Sequence, residues 1–524
     1  MKKHLLSITA FTIMSVMAFA QDRYLNEIFA DVTVTPTVSY GENWYVFASN
    51  VEDGVLLAPG SAPELHPLKM SVYEPTEDVV TNRIPVIVMH TGNFIPRFFN
   101  QSTTGSRSDN SVIALANTLA KRGFVAFPIS YRLGWNPTSP DEEVRKGTIL
   151  NAIYRALLDA KTCVRYLRKS VAEDGNPYGI DAEKTVLFGF GTGGYISTNY
   201  VALDRMAELE IEKFTNSAGD IYIDTSLVGQ IDGSGGSLNV FNHPTYSNDV
   251  MAAVNAGGAL GDSSWSEAGE APVISFHCPD DPFAPFEIGI VVVPGTNFNV
   301  VEVSGSKRII REANANGNNQ IMRDQTYTDP VSLASYDRLA SPHPGLGLSP
   351  ADYEGLYPFI RPTVTAPESS PWDWWNPEVV TATVDGINAV AGTTLDPNAI
   401  LAGSNATNPD MSEAKSDAYI DTIVQYMSPR LVNVHETGVD ELNQQIAQNT
   451  FIYPNPAAAG ITIRVNGFKM TSVEVFNLNG ALVAEEQNLN TGRLEMNVEN
   501  LPAGLYLVKV RTDEGFTTQK LSVR

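Results

Sequence analysis

Lys184-Thr-Val-Leu-Phe-Gly-Phe-Gly-Thr-Gly-Gly-Tyr195 runs an apolar strand into a turn built on four glycines. Thr185 to Phe188 has the composition of a buried strand, and Tyr195-Ile-Ser-Thr-Asn-Tyr200 behind the turn starts a helix. Strand, sharp turn and helix are the geometry of a nucleophile elbow, whose pattern is G-x-S-x-G. Gly189 and Gly193 hold the flanking positions, but the central one is Gly191. Glycine adopts the strained apex conformation without cost, so this exchange keeps the turn and deletes the nucleophile.

Outward from the elbow, strands and helices alternate. Leu68 to Glu74 alternates as a half-buried strand, and residues 21–65 carry short β-like runs, Val32 to Val38 and Trp44 to Ser49. Pro85-Val-Ile-Val-Met-His90 and Phe124 to Ser130 are continuous apolar runs, as expected of strands covered on both faces. Ser111 to Arg122 is helical and stops at Gly123; Ile149, Ile153, Leu157, Ala160, Val164 and Leu167 form one apolar helical stripe. This order predicts an α/β fold with a largely parallel sheet and right-handed crossovers. Beyond the elbow, the Gly- and Ser-rich residues 201–270 are a candidate cap ahead of the strand Pro272-Val-Ile-Ser-Phe276. Residues 331–405, dense in Pro, Gly and aromatics, read as a decorated loop or lid. Ser412 to Met427 is a closing helix with Ser412 as cap and Pro429 as stop, and the polar residues 433–449 read as a linker.

From residue 450 the period changes from helical to alternating. Ile461-Thr-Ile-Arg-Val465, Ser472-Val-Glu-Val-Phe476 and Leu505-Tyr-Leu-Val-Lys-Val510 are separated by Asn479-Gly480 and Pro502-Ala-Gly504 turns. Residues 450–524 therefore read as a small β-sandwich.

Length and composition narrow the function. At 524 residues the chain has room for two or three domains. A net charge of −24 argues against nucleic acid, which needs a basic face. Lys2 and Lys3, the apolar run Leu5 to Phe19 and Ala18-Phe19-Ala20 have the layout of a secretory signal peptide, so residues 1–20 are expected to be removed. No later stretch reaches about 18 consecutive apolar residues, so no transmembrane segment is expected in the mature chain. The two cysteines, Cys163 and Cys278, read as buried free thiols. No metal or cofactor is expected.

Two resemblances rest on ordered motifs. Tyr453-Pro-Asn-Pro456, Val475-Phe-Asn-Leu-Asn-Gly480, Leu501-Pro-Ala-Gly-Leu-Tyr506 and Lys520-Leu-Ser-Val523 make the tail resemble the C-terminal sorting domain of the type IX secretion system. That resemblance implies passage through the periplasm and across the outer membrane, handling by the type IX machinery, and a secreted or cell-surface location. Residues 21–432, from about residue 66 onward, resemble secreted α/β-hydrolases of the carboxylesterase and lipase kind. The series is Ser71-Val-Tyr-Glu-Pro75, His90-Thr-Gly-Asn-Phe94, Ile129-Ser-Tyr-Arg-Leu-Gly134, Asp159, Tyr178-Gly-Ile-Asp181, the elbow, and His277-Cys-Pro-Asp-Asp-Pro282.

The hydrolase resemblance assigns roles. Oxyanion donors would be the backbone of Thr192 and of the Gly92/Asn93 pair. The acid would be Asp281, with Asp280 one residue away as the alternative. His277 is too near its strand to be the base and reads as packed or capping. His343, in Ser341-Pro-His-Pro-Gly345, stands in the right chain order for the triad histidine. Thr192, one residue past the apex, is a poor substitute nucleophile because its side chain should point elsewhere, and Ser197 is poorer still. Loss of a triad member leaves only about 10³–10⁴-fold catalysis over water. The reading that follows is an exported hydrolase homologue, catalytically degenerate at Gly191. It would hold a carbohydrate or an acyl or aryl ester in a cleft rimmed by Trp372, Trp374 and Trp375, with Tyr357 and Phe359. Two alternatives stand beside it: a working carboxylic-ester hydrolase using Thr192 or a water held by Asp281 and His343, and a structural adhesin or matrix protein.

Overall fold

The computed structural model describes residues 23–46, 52, 53, 55, 61–293, 298–342, 345–361, 367–477, 481–513 and 515–524, without side chains at 391 and 436–445. The signal-peptide segment, the Asn479-Gly480 turn and His343 lie outside the described residues. The chain forms two compact units, Met1–Val432 and Asn433–Arg524.

The larger unit is built on eight strands: β1 (Val32–Tyr45), β2 (Glu64–Pro75), β3 (Pro85–Met89), β4 (Val125–Ile129), β5 (Val186–Phe190), β6 (Ala252–Ala256), β7 (Val273–His277) and β8 (Leu356–Pro358). They pair in the order β1-β2-β4-β3-β5-β6-β7-β8. β1 pairs antiparallel with β2 and β2 with β4; every pairing from β4 to β8 is parallel. All residues of β3, β4, β5, β6 and β7 are buried, which is why β3, β4, β5 and β7 read as unbroken apolar runs and not as alternations. The run expected from Val32 to Val38 continues to Tyr45, because register shifts at Thr35/Val38 and Ser39/Gly41 absorb Pro36 and Gly41 without ending the strand; of the run expected from Trp44 to Ser49, residues 47–49 lie outside the described residues.

Helices cover the sheet. α1 (Asn110–Lys121) buries Val112, Leu115 and Leu119. α2 (Glu142–Ala172) is capped by Asp141, whose side chain accepts from Glu143 N, and carries two glutamates in its first turn, where the helix dipole favours them. The apolar stripe predicted from Ile149 to Leu167 is its buried face. α3 (Thr192–Ala202) follows β5 directly, and α4 (Ser306–Ala315) packs on β7. Beneath β4, Arg132 and Asp159 form a buried bidentate pair with Nη2–Oδ1 at 2.9 Å and the Arg132 N–H donating to Oδ2 at 2.8 Å. This pair ties the Tyr131–Gly134 loop to α2.

Several expectations need correction. Residues 331–405 are not one extended loop. They include most of helix Pro330–Ala340, all of α5 (Pro377–Ala391), much of α6 (Pro397–Thr407) and β8. Pro429 does not stop the closing helix: α7 (Glu413–Asn449) runs through it and covers the segment 433–449 expected to be a linker. The buried face of Ile420, Ile423, Val424, Met427 and Leu431 continues across the proline, and that packing outweighs one missing N–H. Residues 201–270 hold short turns and β6, which joins the main sheet. A three-stranded sheet of Ala259–Leu260, Asn299–Gly305 and Ile288–Val292 was not anticipated.

The smaller unit pairs Thr450–Tyr453, Gly460–Val465 and Arg493–Asn497 in one antiparallel sheet. Leu482–Glu486, Met470–Asn477, Gly504–Thr512 and Phe516–Val523 form another. Ile463, Val473, Val475, Val508, Val510 and Leu521 fill one core, as the two-residue period predicts. Its sequence motifs meet in space. Asn455 donates to Lys520 O at 2.8 Å and accepts from Ser522 N at 3.0 Å, so Tyr453-Pro-Asn-Pro456 is fastened to Lys520-Leu-Ser-Val523. Tyr506 Oη donates to Pro502 O at 2.6 Å, closing the Leu501–Tyr506 motif on itself. Cys163 and Cys278, both in the larger unit, are free and buried.

Candidate functional site

The parallel strands deliver their following residues to one edge of the sheet: Thr91 beyond β3, Tyr131 beyond β4, Gly191 beyond β5, Gly257 beyond β6 and Asp281 beyond β7. Gly191 has φ +48° and ψ −111°. Its N–H donates to Ala256 O at 2.8 Å, and its carbonyl accepts from Gly194 N and Tyr195 N at 2.9 and 3.2 Å, which starts α3. The flanking glycines are there because strand and helix touch: a Cβ at Gly189 would lie 1.9 Å from Gly193 O. The apex itself is closed from the neighbouring strand. A Cβ on residue 191 would meet Thr91 Oγ1 at 2.1 Å and Thr91 Cβ at 2.9 Å. The β3–β5 register explains this, since Met89 pairs with Gly189 and the same two-residue step leads to Thr91 and Gly191.

Of the expected oxyanion residues, Asn93 and Thr192 line one cavity with Gly191, and Gly92 lines a second. Gly92 and Asn93 both have positive φ, +125° and +57°, and Asn93 O accepts from Trp135 Nε1 at 2.7 Å. Thr192 is the first residue of α3, where backbone N–H groups lack helical partners. Its Oγ1 lies 3.3 Å from Tyr131 Oη, which donates its single proton to His90 O at 2.8 Å. The Thr192 hydroxyl is therefore the donor to Tyr131, and its proton points away from any base.

Asp281 lines the same cavity as Gly191 and Thr192. Its Oδ1 accepts from Phe283 N at 2.7 Å and Ala284 N at 3.2 Å, yet burial pushes the carboxyl up to about 7. Asp280, the alternative acid, pairs with Arg361 at 3.0 Å. His277 has both ring nitrogens engaged, Nδ1 with Ser306 Oγ at 2.7 Å and Nε2 donating to Ala284 O at 3.1 Å, and burial lowers it to about 4. It is packed, as expected. His90 stacks on Tyr131, its Nδ1 donates to Thr91 O, and burial holds it near 4 as well. None of the described residues lining the cavity is a histidine. No group of three or more His, Cys, Asp or Glu among the described residues is placed to hold a metal ion.

Behind the elbow lies a cavity of about 150 Å³ walled by Ile153, Leu157, Leu209, Phe214, Trp265 and Val301. Tyr195 also lines it, and its buried hydroxyl has no partner among the described residues. A polar cavity of about 420 Å³ adjoins, sharing Thr91, Asn93, Phe283, Val292, Ser369 and Ser370 with the first. Sequence reasoning missed most of the apolar wall, because its residues are core-like singly and only the fold gathers them.

Of the tryptophans expected at the rim, Trp375 lines one of these cavities and Trp372 and Trp374 line neither. Trp372 is 1% exposed and packs between Phe190 and Phe359, so it is a core residue. Trp375 is buried with Phe98, Val380, Val384 and Ile400, and one side of it lines the polar cavity. Trp374 is half-buried and lines neither cavity. Tyr357 and Phe359 pack on Phe276.

Residues 451–524 match the family described as the Secretion system C-terminal sorting domain. The chain carries a type IX sorting tail. It is therefore exported, to a secreted or cell-surface location, and no helix among the described residues is long and apolar enough to cross a membrane. Ulvan lyase NLR42 of Nonlabens ulvanivorans is 32% identical over 82 residues, which is 16% of this chain and 15% of the lyase. Among solved structures, Thermogutta terrifontis esterase 2 phosphorylated by paraoxon is similar at 19% identity and TM-score 0.27, over 42% of this chain and 69% of the esterase. A truncated carbohydrate esterase from gut microbiota is similar at 16% identity and TM-score 0.31, over 56% of this chain and 86% of that one.

Proposed function

We propose that residues 21–432 are an α/β-hydrolase homologue, exported by the 450–524 tail, that holds an ester-like or carbohydrate ligand at its elbow without hydrolysing it. The strand order, with the second strand antiparallel and ligand-facing loops at the ends of the parallel strands, supports the fold assignment. The observation that carries the silent-site reading is Thr91. Its hydroxyl fills the space a nucleophile's side chain would need, so position 191 is closed as well as empty. Loss of the nucleophile alone removes all but about 10³–10⁴-fold of catalysis over water.

Hydrolysis of a short-chain p-nitrophenyl ester by the full chain tests this, with Gly191→Ser and Thr91→Gly/Gly191→Ser alongside. The wild type and the single variant are expected to be inert. With Asp281 of the same cavity as the base, an organophosphonate should label position 191 in the double variant and fail to label it in the single one. Efficient wild-type turnover, or labelling of Thr192, overturns the reading.

One observation favours a second reading, a working ester hydrolase. A carboxyl titrating near 7, as Asp281 does, is poised to take a proton from a water. In that case turnover would rise through about pH 7 and vanish in Asp281→Asn.

A further inference from the structure

On the outer side of α2, away from the elbow, a groove of about 420 Å³ is walled by Val144, Leu227, Val228 and Leu238, with Arg155 and Asp224 as its charged residues. Val144 and Leu227 are exposed, 39% and 42%, which is unusual for large aliphatics sharing one depression. Arg155 is only 5% exposed.

The charge around Arg155 does not balance. Arg132 and Arg155 both lie beside Asp159, but the bidentate pair belongs to Arg132. Arg155 forms no ion pair among the described residues; one N–H, on Nη2, donates to Gly134 O at 2.7 Å, and its buried Nε–H has no partner. Asp224, on the same groove, has its Oδ1 occupied by Ser226 N at 3.0 Å and Ser226 Oγ at 2.6 Å. Asp224 keeps its charge, but the charges that act on Arg155 are Arg132 and Asp159, so within that buried trio one positive charge is in excess. Buried charges are ordinarily paired, and leaving one unpaired is costly. Burial, with the neighbouring Arg132, lowers Arg155 to about 9.

We infer that this groove binds a small monocarboxylate with an apolar body, the carboxylate reaching Arg155 and the body lying on Val144, Leu227, Val228 and Leu238. The guanidinium supplies a directional anion contact, and the aliphatic walls supply a surface that an inorganic anion would not use. The inference is independent of the silent-elbow proposal, since none of these residues lines the elbow cavity.

Calorimetric titration of the full chain with hexanoate, hexanol and hexylamine tests it. Hexanoate should bind saturably, and the alcohol and amine at least about tenfold more weakly, the factor expected for loss of a charge-assisted hydrogen bond. Arg155→Gln should weaken hexanoate by at least the same factor. Because that variant could fail to fold, Val144→Trp provides the second arm: the position is exposed, so the indole fills the groove without entering the core. It should abolish binding while leaving thermal unfolding unchanged. Equal binding of hexanol and hexanoate, or hexanoate binding that survives Val144→Trp, overturns the inference. Survival would place the acid in another cavity.

Discussion

Two turns at the same edge of the sheet make opposite use of their positions. The turn after β5 joins strand to helix sharply and has no side-chain group at its apex: Gly191 sits at φ +48° with Thr91 across it. The turn after β7 has the group. Asp281 is buried in the shared cavity, its carboxyl held near 7. The first turn is fixed by contacts of main chain on main chain, which require glycine at 189 and 193 whatever stands between them. The second is fixed by its own carboxylate, which accepts two backbone N–H groups. Backbone shape and chemical function are therefore separately determined at this edge.

The largest expected effect comes from the turn that holds its group. In the native chain Asp281 keeps its proton to about 7, while in the unfolded chain it releases it near 3.8. Between those values the native state binds more protons, so stability from this group is fully present at low pH and declines as pH rises through the window, by roughly 4 kcal/mol at most. Asp281→Asn should flatten that part of the profile and leave the slopes of Asp109 and Asp373, which burial also raises, in place. All six tryptophans lie before residue 433, so fluorescence-monitored urea unfolding from about pH 4 to about pH 8 follows the larger unit. Identical profiles for wild type and variant would mean that Asp281 is not buried as described.

Next in size is the test of closure. Gly191→Ala puts a Cβ against Thr91 Oγ1 in a left-handed backbone and should cost about 2–3 kcal/mol. In a Thr91→Gly background the same change should cost at least about 1 kcal/mol less, a coupling that a double-mutant cycle measures directly. Additive effects would show that Thr91 does not fill the apex, and the main support for the silent site would be gone.

The reach of sequence reasoning follows from the same contrast. β3, β4, β5 and β7 announced themselves as continuous apolar runs, and α2 as a stripe, because burial on known faces leaves a periodic trace. β6 left none: Ala252-Ala-Val-Asn-Ala256 has little strand propensity and is a strand because β5 and β7 flank it. The helices of residues 331–405 were hidden by the prolines, which sit at helix starts, as Pro330, Pro377 and Pro397 do, and do not break the elements. The glycine at the apex, position 191, was legible at once. Its partner Thr91 was not, although a threonine in a loop expected to be glycine-rich was the available signal. Only the pairing of Met89 with Gly189 shows that residues one hundred positions apart compete for one space. The tryptophans misled for the converse reason, since aromatic density alone does not separate a rim from a core.

The smallest expected effect decides whether the empty turn has a substitute. Thr192→Val is nearly isosteric and removes one hydroxyl, the donor to Tyr131 Oη at 3.3 Å. A long hydrogen bond of this kind contributes about 0.5–1 kcal/mol, so the larger unit should unfold at slightly lower urea with an unchanged slope. Any residual ester hydrolysis should be unaltered, because a hydroxyl that donates to a tyrosine and faces no base has no means of activation. A fall in hydrolysis out of proportion to that stability loss would assign Thr192 a chemical role. The contrast between the two turns would then be one of which residue carries the group, and no longer of whether the group is there.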